Sequence, residues 1–133
     1  MKTEDPAVEP LRKALRDHKE VRLALLFGSR ARGQARPDSD ADVAVLGEDL
    51  DLLELAADLS DAAQIEVDVI DIDDPGYPLL NALLRDGLVL SEGERGAAAA
   101  WWSRALLQAE TDRPGYERMR DSYLRRLAEG RHD

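Results

Sequence analysis

Residues 26–45 read LFGSRARGQARPDSDADVAV, and the order of residue types within them decides the fold. The stretch is entered from Val21 to Phe27 (VRLALLF), a nearly continuous apolar run that Gly28 ends. Such a run reads as a buried strand. A glycine at its end lets the backbone turn sharply and approach a ligand closely. Ser29 follows with a hydroxyl and an N–H, and a turn or short helix starting there aims further N–H groups at an anion. Gly28 to Gly33 fit G-x-x-x-x-G, but Gln34-Ala35 stand where a P-loop needs Lys-Ser/Thr, so a P-loop NTPase is a poor fit. Asp40 to Leu46 (DADVAVL) alternates and reads as a second strand. Asp40 and Asp42 are two apart in it, so their side chains leave the same face. Two carboxylates that close repel each other unless a cation lies between them. Hard oxygen donors without thiols or nearby histidines suit Mg²⁺, completed by nucleotide phosphates. A turn or capping role competes for Asp40, because Asp38-Ser39-Asp40 is turn-like. It competes less for Asp42, which Val43 to Leu46 follow directly.

Outward from this block, Val8, Leu11 and Leu15 recur at helical spacing and predict a helix over 7–18 with Pro10 in its first turn. Leu52, Leu53, Leu55 and Leu59 predict a helix over 51–63. Residues 65–72 (IEVDVIDI) alternate strictly and read as a third strand. Turn chemistry at Asp73-Asp74-Pro75-Gly76 precedes a short helix over 78–85 and an edge strand over 87–90. From Glu94 onward the pattern is helical. One helix carries Trp101, Trp102, Leu106 and Leu107, Pro114-Gly115 interrupts, and a second carries Tyr116, Met119, Tyr123 and Leu127. The expected class is α/β (α+β), a small mixed sheet flanked by helices. The 133 residues are expected to form a single domain, with a core over about 7–92 and a C-terminal helical extension over about 94–130.

In Ile65 to Ile72 a third carboxylate is on offer. Glu66, Asp68, Ile70 and Ile72 share one face, and Val67, Val69 and Asp71 share the other. Asp68 is central and flanked by Val67 and Val69, where burial without a partner is costly. Glu66 and Asp71 lie nearer the strand ends, where solvation is easier. Asp68 is therefore preferred to Glu66 or Asp71 as third metal ligand or general base.

Composition narrows the function. With 44% hydrophobic residues the chain is globular in character. It has no cysteine, so disulfides and thiolate metal sites are excluded. The polar segment from Met1 to Pro10 lacks a signal-peptide core, and no stretch approaches a membrane span, so a cytoplasmic protein without membrane contact is expected. A formal net charge of −10 disfavours broad nucleic-acid binding and an oligonucleotide polymerase. From Asp38 to Asp74 there are fourteen acids and no Lys or Arg, and some of those acids sit inside apolar strands. A solvated face explains an acidic run on its own, but not acids in such strands.

Gly28-Ser29, ten residues, then Asp40-x-Asp42 is the G-S-x₁₀-D-x-D pattern, and it resembles that of the DNA polymerase β-like nucleotidyltransferases. With GSRARG and the VDVID strand it resembles their minimal members, the MNT proteins. Asn81 to Leu90, Trp101 to Leu107 and Pro114 to Arg126 look like the tail of the MntA-type antitoxins of HEPN–MNT toxin–antitoxin pairs. The likeness runs over about 7–128. It implies a polymerase β palm-like fold and transfer of AMP from ATP to a hydroxyl. In the antitoxin pairs the acceptor is a tyrosine of the HEPN toxin, an RNase that is thereby silenced. Carried over by position, Gly28 and Ser29 hold the triphosphate, Asp40 and Asp42 bind Mg²⁺, and Asp68 completes the site. A small-molecule nucleotidyltransferase, acting on an aminoglycoside for example, is an alternative, as is an antitoxin that acts by contact alone.

Arg30 stands between two roles, a guanidinium contact to the triphosphate and a solvated residue of a short helix. Arg32 and Arg36 read as surface. Trp101, Trp102, Tyr116 and Tyr123 are at core spacing, and an interface with a protein partner is the sharper reading, since Trp, Tyr and Arg are enriched there. His18 and His132 are given no role.

Overall fold

The computed structural model describes residues 4–130, so His132 lies outside the described residues. Four strands form one sheet in the order β3-β2-β1-β4, with β1 Val21–Phe27, β2 Ala41–Gly47, β3 Val67–Asp71 and β4 Leu88–Glu92. β1 pairs antiparallel with both β2 and β4, and β2 pairs parallel with β3. Parallel neighbours need a crossover, and helix α2 (Leu52–Ala63) supplies it.

Helices cover both faces of the sheet, which is why β1 reads as a run rather than an alternation. Ala24 and Leu26 of β1, with Val43 and Val45 of β2, pack under α1 (Val8–Leu15) and α2. Leu23 and Leu25, with Ala44 and Leu46, pack under α3 (Tyr77–Asp86) and α4 (Ala97–Gly130). Leu11, Leu23, Leu25, Leu26, Leu55 and Leu59 are fully buried. Truncating any one of them to Ala costs about 2–5 kcal/mol.

Local chemistry fixes the ends of these elements. Asp51 caps α2 by accepting from the Glu54 N–H at 3.1 Å. Gln64 ends the same helix in the left-handed region, with φ 57°. The Val67 N–H donates to Ser60 Oγ of α2 at 2.9 Å, which pins the start of β3. His18 joins the turn after α1 to α2, with Nδ1 3.0 Å from Glu20 and Nε2 3.0 Å from Asp58.

The C-terminal region departs from expectation. Pro114 does not end a helix, and α4 runs unbroken through it from Ala97 to Gly130. A helical proline withholds one N–H from the carbonyl four residues back, here that of Glu110. Residues 110–115 are all exposed, so water can satisfy the freed oxygen. Only the first part of α4 is core, through Trp101 and Ala105 with half-buried Trp102 and Ala109. Tyr116 is half-buried and its ring lies 4.8 Å from that of Tyr77. Met119, Tyr123, Leu124 and Leu127 are exposed, so that part of the stripe lies outside the core of the described residues. No helix among the described residues is long and apolar enough to cross a membrane.

Candidate active site

The alternation of β2 sets the direction of its carboxylates. Ala41, Val43 and Val45 face α1 and α2. Ala44 and Leu46 face α3 and α4, and Asp42 shares their side by the two-residue period. In β3, Ile70 packs on the α3/α4 side and Val67 and Val69 on the other. Asp68 therefore shares the α3/α4 side too. Asp42 and Asp68 are direct register partners across the parallel pair, and Phe27 is the partner of Asp42 across the antiparallel pair. Asp40 stands one residue before β2. The loop end of β1 and the starts of β2 and β3 thus meet at one end of the sheet.

Charge records this convergence. Partial burial, then the negative charges of Asp68 and of Asp40, push the Asp42 carboxyl above its ordinary value. A cation among these groups would relieve the repulsion. The donors are hard oxygens, and the set fits Mg²⁺ in chemistry. Among the described residues no three His, Cys, Asp or Glu side chains are gathered closely enough to hold a metal ion by themselves. Mg²⁺ commonly keeps waters and uses substrate phosphates beside one or two carboxylates, so a partial protein cage is sufficient for it.

Of the other acids weighed for the third position, Asp71 faces the α1/α2 side by alternation, and its Oδ1 accepts from the Asp73 N–H at 2.9 Å. It caps the turn after β3. Glu66 precedes β3, and its carbonyl accepts from the Ala41 N–H at 2.9 Å.

Gly28 has φ 77°, and a Cβ on it would lie 2.6 Å from Asp42 Oδ2. Both the backbone conformation and the contact require glycine. Residues 28–33 form successive turns rather than a regular helix, closed by Arg32 N–H to Gly28 O at 3.2 Å and Gln34 N–H to Ser29 O at 2.9 Å. Among the described residues, the N–H groups of Ser29, Arg30 and Ala31 have no such acceptor. Consecutive free amides beside a carboxylate pair form the kind of concavity that takes a phosphate.

Of the two roles expected for Arg30, its burial rules out the solvated one. It is buried, at 6% exposure. Nε and Nη2 donate to Ser39 O at 3.0 and 2.7 Å, Nη2 also to Pro37 O at 3.0 Å, and Nη1 to Asp5 Oδ1 at 2.9 Å. Arg32 is exposed as expected, but it also ties the turn to the end of α3 through Asp86 at 3.2 Å. Sequence gave no sign of that pair, because Arg32 and Asp86 are far apart in the chain. A cavity of about 820 Å³ opens elsewhere, beside His18, Asp58 and Asp61 between α1 and α2.

Comparison with known proteins agrees with this geometry. The polymerase β nucleotidyltransferase family model matches residues 9–95. Comparison with curated protein sequences gave no match. Among solved structures, the chain is similar to one in a toxin–antitoxin complex with AMP-PNP, at 25% identity and TM-score 0.75, over 88% of this chain and 98% of that one. It is also similar to a chain of an MntA toxin–antitoxin mutant complex, at 26% identity and TM-score 0.73, over 87% and 96% of the two chains. A third likeness is to a chain in the complex of tri-AMPylated HEPN toxin with MNT antitoxin from Shewanella oneidensis, at 23% identity and TM-score 0.71, over 92% and 99%. The family match runs from α1 through β4 and takes in the glycine turn and all three carboxylates, so the chain belongs to the polymerase β nucleotidyltransferase family and is a nucleotidyltransferase.

Proposed function

We propose that the chain is the antitoxin of a HEPN–MNT pair, and that it transfers AMP from ATP to a hydroxyl, a tyrosine above all, of its HEPN toxin. The observation that carries this reading is the register pairing of Asp42 with Asp68 beside a glycine turn that touches Asp42. The likeness to chains of toxin–antitoxin complexes, one of which holds an AMPylated toxin, supplies the partner class. Asp40 and Asp42 hold Mg²⁺, which when bound neutralises the phosphates and lowers the pKa of the attacking hydroxyl. Amides from Ser29 onward, with Gly28, orient the triphosphate. The acceptor oxygen bonds to the α-phosphorus, the bond to the bridging oxygen breaks, and pyrophosphate leaves. Asp68 takes the hydroxyl proton. A tyrosine needs this help, since its pKa is about 10. The protein acts in the cytoplasm.

Incubating the chain with ATP, Mg²⁺ and its toxin should raise the toxin's mass by one or more AMP units. A silenced toxin of unchanged mass would make the chain a contact antitoxin, and a modified small molecule with no toxin partner would make it a small-molecule enzyme.

The exposed half of α4 suits the contact with that partner. Met119 is 64% exposed and Tyr123 55%, beside exposed Leu124 and Leu127, on a stretch outside the core of the described residues. Large apolar side chains on one face of a monomer mark an interface. Exchanging Tyr123 and Leu127 together for Glu should weaken toxin binding by about 100-fold or more, since a few central apolar anchors dominate such interfaces. Circular dichroism should stay unchanged. Unfolding of the variant would instead make the stripe part of the fold.

A further inference from the structure

We infer that Arg30 is a positioning residue that sets Asp40 in place, and not a ligand of the nucleotide; this rests on the site proposed above. Arg30 lies two residues beyond Gly28, inside the phosphate turn, yet its side chain leaves that turn and enters the loop that carries Asp40. There its guanidinium bonds the carbonyls of Pro37 and Ser39 at 3.0 and 2.7 Å, with a longer bond to Arg36 O at 3.3 Å. The loop closes on itself through Arg36 N–H to Ser39 Oγ and Ser39 N–H to Arg36 O, at 2.9 and 3.0 Å. Ser39 is the residue before Asp40, and its carbonyl takes two of the guanidinium bonds. Fixing that peptide fixes the start of β2 and the direction of the Asp40 side chain.

The far side of the guanidinium is held as firmly. Nη1 bonds Asp5 Oδ1 at 2.9 Å, and the Arg30 and Asp5 side chains are 4% and 11% exposed. Asp5 is itself fixed, since the same Oδ1 accepts from Ala7 N–H at 2.9 Å and its carbonyl accepts from Val8 N–H at 3.0 Å, at the start of α1. A buried guanidinium bonded on both sides spans from the turn before α1 to the carboxylate loop. Only the planar fork of arginine can bridge several carbonyls and a carboxylate at once. The ammonium of lysine is a point charge without that geometry. The arrangement links the turn that receives phosphate to the loop that presents a metal ligand, so one residue couples the two halves of the site.

The test uses Arg30→Lys and Asp5→Asn. The second keeps an oxygen acceptor in place, and so remains informative if the first does not fold. Mn²⁺ binding is measured by electron paramagnetic resonance with a non-hydrolysable ATP analogue present, and AMP transfer to the toxin is measured against ATP and against metal concentration. We expect Mn²⁺ affinity to fall about tenfold in Arg30→Lys and less in Asp5→Asn. We expect kcat to fall with it, KM for ATP to stay within about twofold, and excess metal to restore most of kcat. A raised KM for ATP with unchanged Mn²⁺ affinity would make Arg30 a nucleotide ligand. A lower melting temperature with unchanged Mn²⁺ affinity and kcat would make its role structural only. Either result overturns the inference while leaving the site intact. Absence of Mn²⁺ binding in the unaltered protein would overturn the site itself, and the inference with it.

Discussion

Asp42→Asn should reduce AMP transfer by about 10³-fold or more while leaving the complex with the toxin intact. The loss follows from geometry. Asp42 faces Asp68 across the parallel strands, follows Asp40 by two residues, and lies against the glycine turn, so it adjoins each part of the site. An amide keeps the shape and loses the charge. Electrostatic stabilisation by a bound metal is worth several kcal/mol, and each 1.4 kcal/mol or so is tenfold in rate. The same substitution should stabilise the metal-free protein. Burial and two neighbouring carboxylates raise the Asp42 pKa, so the folded state holds that proton more tightly than the unfolded chain does. Stability from this group is therefore greatest below its unfolded value and is lost as pH rises through the folded value. At neutral pH the charged form opposes folding. After allowance for solvent screening at a largely open site, its removal should raise the melting temperature by about 2 °C. Thermal unfolding at pH 7 with a chelator measures this, and the gain should vanish in acid, where the unaltered Asp42 is already protonated. Full transfer activity in Asp42→Asn would sink the metal assignment, and a clear fall in its melting temperature would sink the account of the repulsion.

How much of this was legible in the sequence differs from element to element. β1 was plain as an apolar run, because it is a central strand with helices on each face, and β2 was plain as an alternation over Asp40 to Leu46. The two-residue period put Asp42 and Asp68 on defined faces, and the structure's register then set them opposite each other, which no local pattern contains. The two-residue period already put Asp71 on the face opposite Asp68, but its bond from the Asp73 N–H depends on the turn after β3 and needed coordinates. Arg30 was illegible for a different reason. Its partners at Asp5, Pro37 and Ser39 become neighbours only when α1, the glycine turn and the carboxylate loop pack together, and nothing in the run GSRARG tells a buried arginine from a solvated one. Pro114 misled because the proline rule describes the average cost of a lost hydrogen bond. An exposed stretch of helix can leave that bond to water. The apolar stripe of α4 had helical spacing, which core and interface share, and only coordinates show that Met119, Tyr123 and Leu127 are not core.

Gly28→Ala should impair catalysis far more than it impairs folding, and a second glycine allows the two effects to be separated. Gly28 and Gly33 stand at opposite ends of the same turn with φ of 77° and 73°. Alanine at either position meets the same left-handed backbone penalty, about 1–2 kcal/mol, or a few degrees in melting temperature. Their surroundings differ. A Cβ at Gly33 meets nothing within 4 Å, whereas a Cβ at Gly28 would lie 2.6 Å from Asp42 Oδ2. That contact cannot persist. The short Asp42 side chain is the part most able to yield, and it yields by rotating its carboxylate away from Asp40 and Asp68. A displacement of about 1 Å at a reacting centre costs on the order of 100-fold in rate. Gly28→Ala should therefore lose about 100-fold or more in AMP transfer and most of its Mn²⁺ affinity, while Gly33→Ala, with a similar fall in melting temperature, keeps its Mn²⁺ affinity and stays within about threefold of the unaltered rate. Equal losses of activity in the two variants would mean that backbone strain alone governs the turn, and that Gly28 does not act through Asp42.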